Sequence, residues 1–379
     1  MKFLLDKSEK KVEYIELIYD LIFVYLVGRN NELLHHVENG FVSPQTFLAY
    51  ILCTLAIIQI WNFTMYYINM FGRNGWRDHV FLFINMYLMY FIGQSTRSDW
   101  QAYQTQYHVA WGLILANIGI QYAVEAGNHR EDAATLAMIR QRCVTLFAEA
   151  ALVFAAAASD GIRSVILTAA AILCGILLSA AAGRRYVTGY VDFAHLSERA
   201  MLYVVFTFGE MIIVLAAYFN GGGRFSWNTI YFSLMAFLIV TGLFLSYEIV
   251  YDHLIDRERA DNGLLYTLVH IFIIFMLNNI TAALEFMRKE EIALVPKLLM
   301  IVFSIIGYYV FLFCLSPYAK AGCRMTKGFV EKMLILAAAF AVAMVALRNS
   351  MAANILVTVI FVYLTYGVLS MAKKATGTH

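Results

Sequence analysis

Prolines number only three in a chain of 379 residues, and charged side chains make up only 14% of it. Soluble domains carry about 25% charged residues, so this chain cannot cover a water-facing surface. The net charge of +2 marks no polyanionic partner, which excludes a nucleic-acid binder, and the low charge also excludes intrinsic disorder. The five cysteines, Cys53, Cys143, Cys174, Cys314 and Cys323, show no paired spacing. They form neither a disulfide framework nor a zinc site and read as small hydrophobes. No nucleotide loop is present: Gly221-Gly222-Gly223 ends a helical run and lacks both a following Lys-Ser and a strand context. His35-His36 is adjacent in sequence, a poor geometry for two ligands on one ion, and His195 has the cation Arg199 where a second ligand would help. No metal and no cofactor are therefore expected. Met1 to Lys11 is basic but lacks a small-residue cleavage site, and the apolar run after it contains Glu16 and Asp20. That run reads as a retained membrane helix and not as a signal peptide.

What the chain has is apolar surface. Hydrophobic residues reach 61%, aromatics 15%, and mean hydropathy is +0.67. Crossing the roughly 30 Å hydrocarbon layer takes about 20 apolar residues as helix. Twelve segments qualify: 12–28, 46–68, 79–94, 106–124, 143–158, 163–183, 198–219, 228–251, 263–284, 294–315, 329–347 and 352–371. The fold class expected is an all-α polytopic membrane protein with the lipid bilayer as its main partner. Lys and Arg sort unevenly between the loops: eighteen fall on the side holding both termini, and seven (Arg29, Arg97, Arg163, Arg224, Arg288, Lys289 and Arg348) on the other. Cationic loops stay cytoplasmic, so both termini are expected inside the cytoplasmic membrane.

The spans divide into two sets of six, 1–185 and 186–379. Glu16 in span 1 corresponds to Glu198 in span 7, and Trp61, Asn62, Met65 and Tyr66 in span 2 correspond to Tyr247, Glu248, Tyr251 and Asp252 in span 8. Six spans per half make the repeats parallel, about an axis along the membrane normal, a plan common among transporters. Spans 5–6 hold just two aromatics, Phe147 and Phe154, among alanines. Small residues let helices approach closely in lipid, so this hairpin reads as a packing element. Aromatic and polar groups gather instead in spans 1–4 and 7–10, where a functional cavity is expected.

A charge at the bilayer centre costs roughly 2.5–3.5 kcal/mol on insertion scales, so each needs a partner, a cavity or water. Glu13, Glu16 and Asp20 stand at i, i+3 and i+7 on one face of span 1, with Asp20 about 12 Å from the span's start. His195, Glu198 and Arg199 open span 7, and Glu210 follows about 18 Å deeper than Glu198. Glu248 and Asp252 end span 8, and span 9 holds His270. Gln59, Asn62, Asn69, Asn85, Asn117 and Gln121 complete the polar set, from which Glu149 in span 5 stands apart. One reading is a polar pocket between the halves with Asp20 and Glu210 as deep carboxylates and His270 as a proton partner. In the other, Glu16, Glu198 and Arg199 form an interhelical ion-pair network.

Two stretches resemble a known family. Val12-Glu13-Tyr14-Ile15-Glu16-Leu17-Ile18-Tyr19-Asp20-Leu21-Ile22-Phe23-Val24 is similar to the opening motif of the bacterial low temperature requirement protein A family, Glu-Leu-aromatic-aromatic-Asp-Leu-Val-Phe-Val. His195-Leu196-Ser197-Glu198-Arg199, with Gly209-Glu210 downstream, is similar to its His-Leu-Ala-Glu-Arg stretch and following Gly-Glu. Trp61 to Tyr66 with Asn69 resembles its second-span pattern, and Tyr251-Asp252 and His270 resemble its second half. Ser197 replaces the usual Ala, Ile18-Tyr19 stands where two aromatics are usual, and no acidic residue follows Phe71. The resemblance implies a polytopic inner-membrane protein and singles out the same carboxylates.

Three functions fit these residues: a transporter or proton/ion-coupled carrier of a small molecule, ion or lipid; a membrane-embedded acid/base enzyme on a lipid or isoprenoid; and an envelope-stress or cold-adaptation sensor or scaffold. The first draws on the six-plus-six pattern, the midplane carboxylates and the lack of a soluble domain.

Overall fold

The computed structural model describes residues 10–35, 37–96, 100–185, 191–216 and 226–375. Helix makes up 84% of the described residues, which contain no strand. Twelve α-helices follow one another: α1 (Tyr14–Asn30), α2 (Pro44–Phe71), α3 (Trp76–Ser95), α4 (Trp100–Ala126), α5 (Ala133–Ala157), α6 (Gly161–Arg185), α7 (Phe193–Ala216), α8 (Trp227–Glu248), α9 (Leu264–Arg288), α10 (Leu294–Phe313), α11 (Lys327–Ala346) and α12 (Met351–Ala375). Each coincides with one segment read from hydropathy, and several begin earlier. Helix α5 starts at Ala133, ten residues before the expected 143, because Asp132 caps it: its carboxylate accepts from the amides of Ala134 and Thr135 at 3.0 and 3.1 Å. Nine candidate spans among the described residues are long and apolar enough to cross a membrane. The chain is a multi-pass membrane protein. Helices α1, α3 and α5 lie outside that set; α1 has 17 residues and carries Glu16, Asp20 and Arg29.

Two compact units emerge. The first is drawn from Met1–His36, Val42–Leu202 and Glu258–Thr267, and so holds α1 to α6 and the first turns of α7. The second is drawn from Val37–Phe41, Tyr203–Arg257 and Leu268–His379.

In the first unit α1 turns apolar side chains outward and polar ones inward. Tyr14, Ile18, Leu21 and Tyr25 form an exposed stripe at 3–4-residue spacing, while Glu16, Tyr19, Asp20, Phe23 and Val27 are buried. Apolar groups are at no disadvantage facing lipid, so the polar residues mark the inward face. Helices α4, α5 and α6 pack by a different device. The Phe154 ring sits over Gly112 and the Phe147 ring over Gly119, where an added Cβ would come within 2.7 and 2.9 Å of ring carbons. Both pairs are seven residues apart, two turns on each antiparallel helix, so two rings and two glycines fix the register of the hairpin.

The second unit is built on α8 and α12. Gly242 lies against Val362, the Thr241 hydroxyl is 3.1 Å from that of Tyr363, and Tyr309 donates to the Val362 carbonyl at 3.4 Å. Phe340 of α11 stacks on Phe361 with ring centroids 4.4 Å apart. After Glu248 the chain widens into one π-helical stretch, Ile249–Leu254.

Candidate functional site

The first unit gathers Glu16, Asp20, Trp61, His195 and Arg199 into one buried cluster. Arg199 is fully buried. Its Nη1 lies 3.1 Å from Glu16 Oε2, while its Nε donates to Asp20 Oδ2 at 3.3 Å and its Nη2 to Asp20 Oδ1. Asp20 also accepts from Trp61 Nε1 at 2.8 Å. Two carboxylates thus share one guanidinium, whose planar fork suits two-point binding. Glu16 serves locally too, since with Glu13 it closes a capping box at the start of α1.

His195 is oriented by a clasp between α2 and α7. Asn69 near the end of α2 accepts from the Asp192 amide at 2.9 Å and donates to the Asp192 carbonyl at 2.8 Å. Those two bonds fix which end of the Asn69 amide is nitrogen. The same nitrogen donates to His195 Nδ1 at 3.0 Å, so Nδ1 is the acceptor and the neutral ring carries its hydrogen on Nε2. Nε2 points at Glu16 Oε2, 3.4 Å away. Glu16 Oε2, His195 Nε2 and Arg199 Nη1 converge without any of the three completing an aligned hydrogen bond.

A neutral chain backs the cluster. Asn117 donates to Asn85 Oδ1 at 2.9 Å, Asn85 to the Tyr19 hydroxyl at 3.2 Å, and Tyr19 to Thr64 at 3.0 Å. Thr64 in turn donates to the Ile60 carbonyl at 3.2 Å. Four helices are tied by bonds that all run one way, and Tyr19 is the neighbour of Asp20. Outside the spans, Lys10 Nζ caps the end of α2, donating to the carbonyls of Ile68, Asn69 and Gly72. Burial lowers its ammonium from the usual lysine range, against the opposing attraction of Glu16.

The remaining sequence candidates fall elsewhere. Glu198 is exposed and takes no part in the cluster, where Asp20 stands instead. In the second unit Glu248 and Asp252 are exposed, and Glu210 is half-buried, with Glu285 its electrostatic neighbour. His270 is fully buried there, its Nε2 3.0 Å from the Tyr247 hydroxyl. Sequence reasoning did not foresee the clasp, although it had Asn69 among the intramembrane amides. Nor did it foresee the ion group at Glu125, where that buried carboxylate meets Arg73 at 3.2 Å, Arg77, His129 at 3.2 Å and Asn128 at 3.0 Å. Among the described residues no set of three or more His, Cys, Asp and Glu side chains is placed to hold a metal ion.

Helices of this length and hydropathy around a buried carboxylate–guanidinium cluster define a polytopic helical membrane protein. The family profile described as bacterial low temperature requirement A protein (LtrA) matches residues 11–367, and the chain belongs to that family. No curated protein and no solved structure matches it.

Proposed function

We propose that the protein is a proton- or ion-coupled carrier of the bacterial cytoplasmic membrane, with Glu16, Asp20, Arg199 and His195 as its coupling site. In this reading the twelve helices all span, in two parallel six-helix repeats with both termini cytoplasmic. The observation that carries it is the charge balance of the cluster. Two buried carboxylates face one guanidinium and a histidine whose neutral tautomer is set by Asn69. Among these four side chains one negative charge is left over, with the Lys10 ammonium a further electrostatic neighbour of Glu16, and in a low-dielectric site such a charge calls for a proton or a small cation. A group that gains and loses one charge as its surroundings change is what a coupled carrier requires.

Glu210, His270, Glu248 and Asp252 remain candidates for the solute's path, as polar groups of the second unit. The test is a solute screen in proteoliposomes loaded with the pH dye pyranine, using pools of amino acids, organic acids, sugars and polyamines. At least one pool is expected to change the lumenal pH in wild type, and Asp20→Asn to abolish that change. No response from any pool, or an equal response in Asp20→Asn, would overturn the reading.

A further inference from the structure

Glu149 of α5 lies outside the cluster just described, in the alanine-rich hairpin. Its side chain is fully buried, and its one hydrogen-bond partner is an amide: Gln59 Nε2 of α2 at 3.4 Å from Oε2. The same nitrogen reaches the Ile172 carbonyl of α6 at 3.3 Å. Among the described residues, Glu149 Oε1 and Gln59 Oε1 meet no hydrogen-bond partner. Gly175 of α6 makes the space, since a Cβ there would stand 2.0 Å from Glu149 Oε2 and 2.1 Å from Gln59 Nε2. Three helices therefore bring a carboxyl group, an amide and a main-chain carbonyl onto the bare backbone of one glycine.

Among the described residues no counter-charge acts on Glu149, and the Cys174 thiol is its electrostatic neighbour. The α4 glycines that face α5, Gly112 and Gly119, are filled by the Phe154 and Phe147 rings, which bring no charge to Glu149. Arg142, two turns earlier on α5, engages Ser179 and the Tyr66 ring instead. A buried carboxylate with two unsatisfied oxygens near it is costly in lipid unless something positive is held there. The oxygens available are the kind that hold a proton or a small hard cation.

We propose that Glu149, Gln59 and the Ile172 carbonyl form a binding site for one monovalent cation, a proton or a sodium ion. The site is separate from the Asp20 cluster and stands whether or not that cluster couples transport. Gln59 is the adaptable partner. Its amide accepts from the acid when Glu149 is protonated, and turns its oxygen toward sodium when Glu149 is ionised. Gly175 provides the room either occupant needs.

Infrared difference spectroscopy on the full-length protein in lipid reads the carboxyl group directly. A carboxylic-acid carbonyl band, absent from Glu149→Gln, is expected in wild type at low pH. If the ligand is a proton, the band falls about tenfold for each pH unit above the titration point, whatever the salt. If it is sodium, the band also falls when sodium replaces choline at fixed pH. Gln59→Leu keeps the volume but removes the amide, and is expected to shift the titration point or the half-saturating sodium concentration about tenfold, roughly 1.4 kcal/mol. A band that never appears, or that persists unchanged through the pH and sodium series, would overturn the proposal. So would a Gln59→Leu protein indistinguishable from wild type. None of these results depends on Asp20→Asn, so a failed solute screen leaves this test intact.

Discussion

Two of the fully buried carboxyl groups of the first unit solve the same problem in opposite ways. Asp20 is met by a guanidinium and an indole, within a cluster that Glu16 and His195 complete. Glu149 is met by one amide at 3.4 Å and by empty backbone at Gly175. The contrast separates two kinds of intramembrane acid. One is so tied to its guanidinium that removing it strands two carboxylates, and the other has hardly anything to strand.

The largest effect should come from Arg199→Leu, which leaves two buried carboxylates without a cation. A loss of about 3–5 kcal/mol is expected, read as a fall in thermal unfolding temperature in detergent. Adding Glu16→Gln and Asp20→Asn to that variant should recover most of the loss, because a neutral cluster has no charge left uncompensated. Failure of this rescue would break the comparison at its stronger end. Gly175→Ala comes next, at about 1–3 kcal/mol, because its Cβ would overlap both Glu149 and Gln59. The same exchange at Gly209, which has no neighbour within 4 Å of an added Cβ, should leave the unfolding temperature unchanged. Glu149→Gln is expected to cost under about 1 kcal/mol, since no cation is orphaned and the volume is kept. A cost matching that of Arg199→Leu would show a hidden partner for Glu149. The smallest effect belongs to Asp132, which lies outside the spans. Its hydrogen bonds to Thr135 and Ala134 hold its carboxyl below the usual aspartate range. A depressed acid stabilises its cap above its ordinary range and loses that contribution as pH falls through its lowered value. Amide exchange at Ala134 and Thr135 should therefore accelerate, relative to its intrinsic rate, only in strongly acidic solution.

The helices were legible as long apolar runs that three prolines do not break, and nine of them among the described residues are long and apolar enough to cross a membrane. Helix ends were less legible. Span 7 read from 198, and its helix begins at Phe193 under the hold of Asp192, whose carboxylate accepts from the His195 amide at 3.2 Å. Arg199 is therefore six residues, or about 9 Å, inside the helix, at the level of Asp20. The cluster's membership was partly visible, since a buried charge has to find an opposite one. What the sequence could not show was direction. His195 and Arg199 stand four apart and share a face, whereas Glu198 is turned about 100° from Arg199 and is exposed. Glu149 stands apart in the sequence, in an alanine-rich span that reads as packing. Only the approach of Gln59 and Gly175, from two other helices, gives it surroundings.

The Asn69 clasp has a consequence for motion. Asn69 spends both of its amide hydrogens, one on the Asp192 carbonyl and one on His195 Nδ1. A proton added to the imidazole has only Nδ1 to occupy, because Nε2 already carries one. Two donors would then face each other across 3.0 Å where a donor and an acceptor stood. Asn69 would have to turn away and give up its grip on Asp192 as well. The tie between the end of α2 and the start of α7 thus rests on the acceptor nitrogen of a single ring.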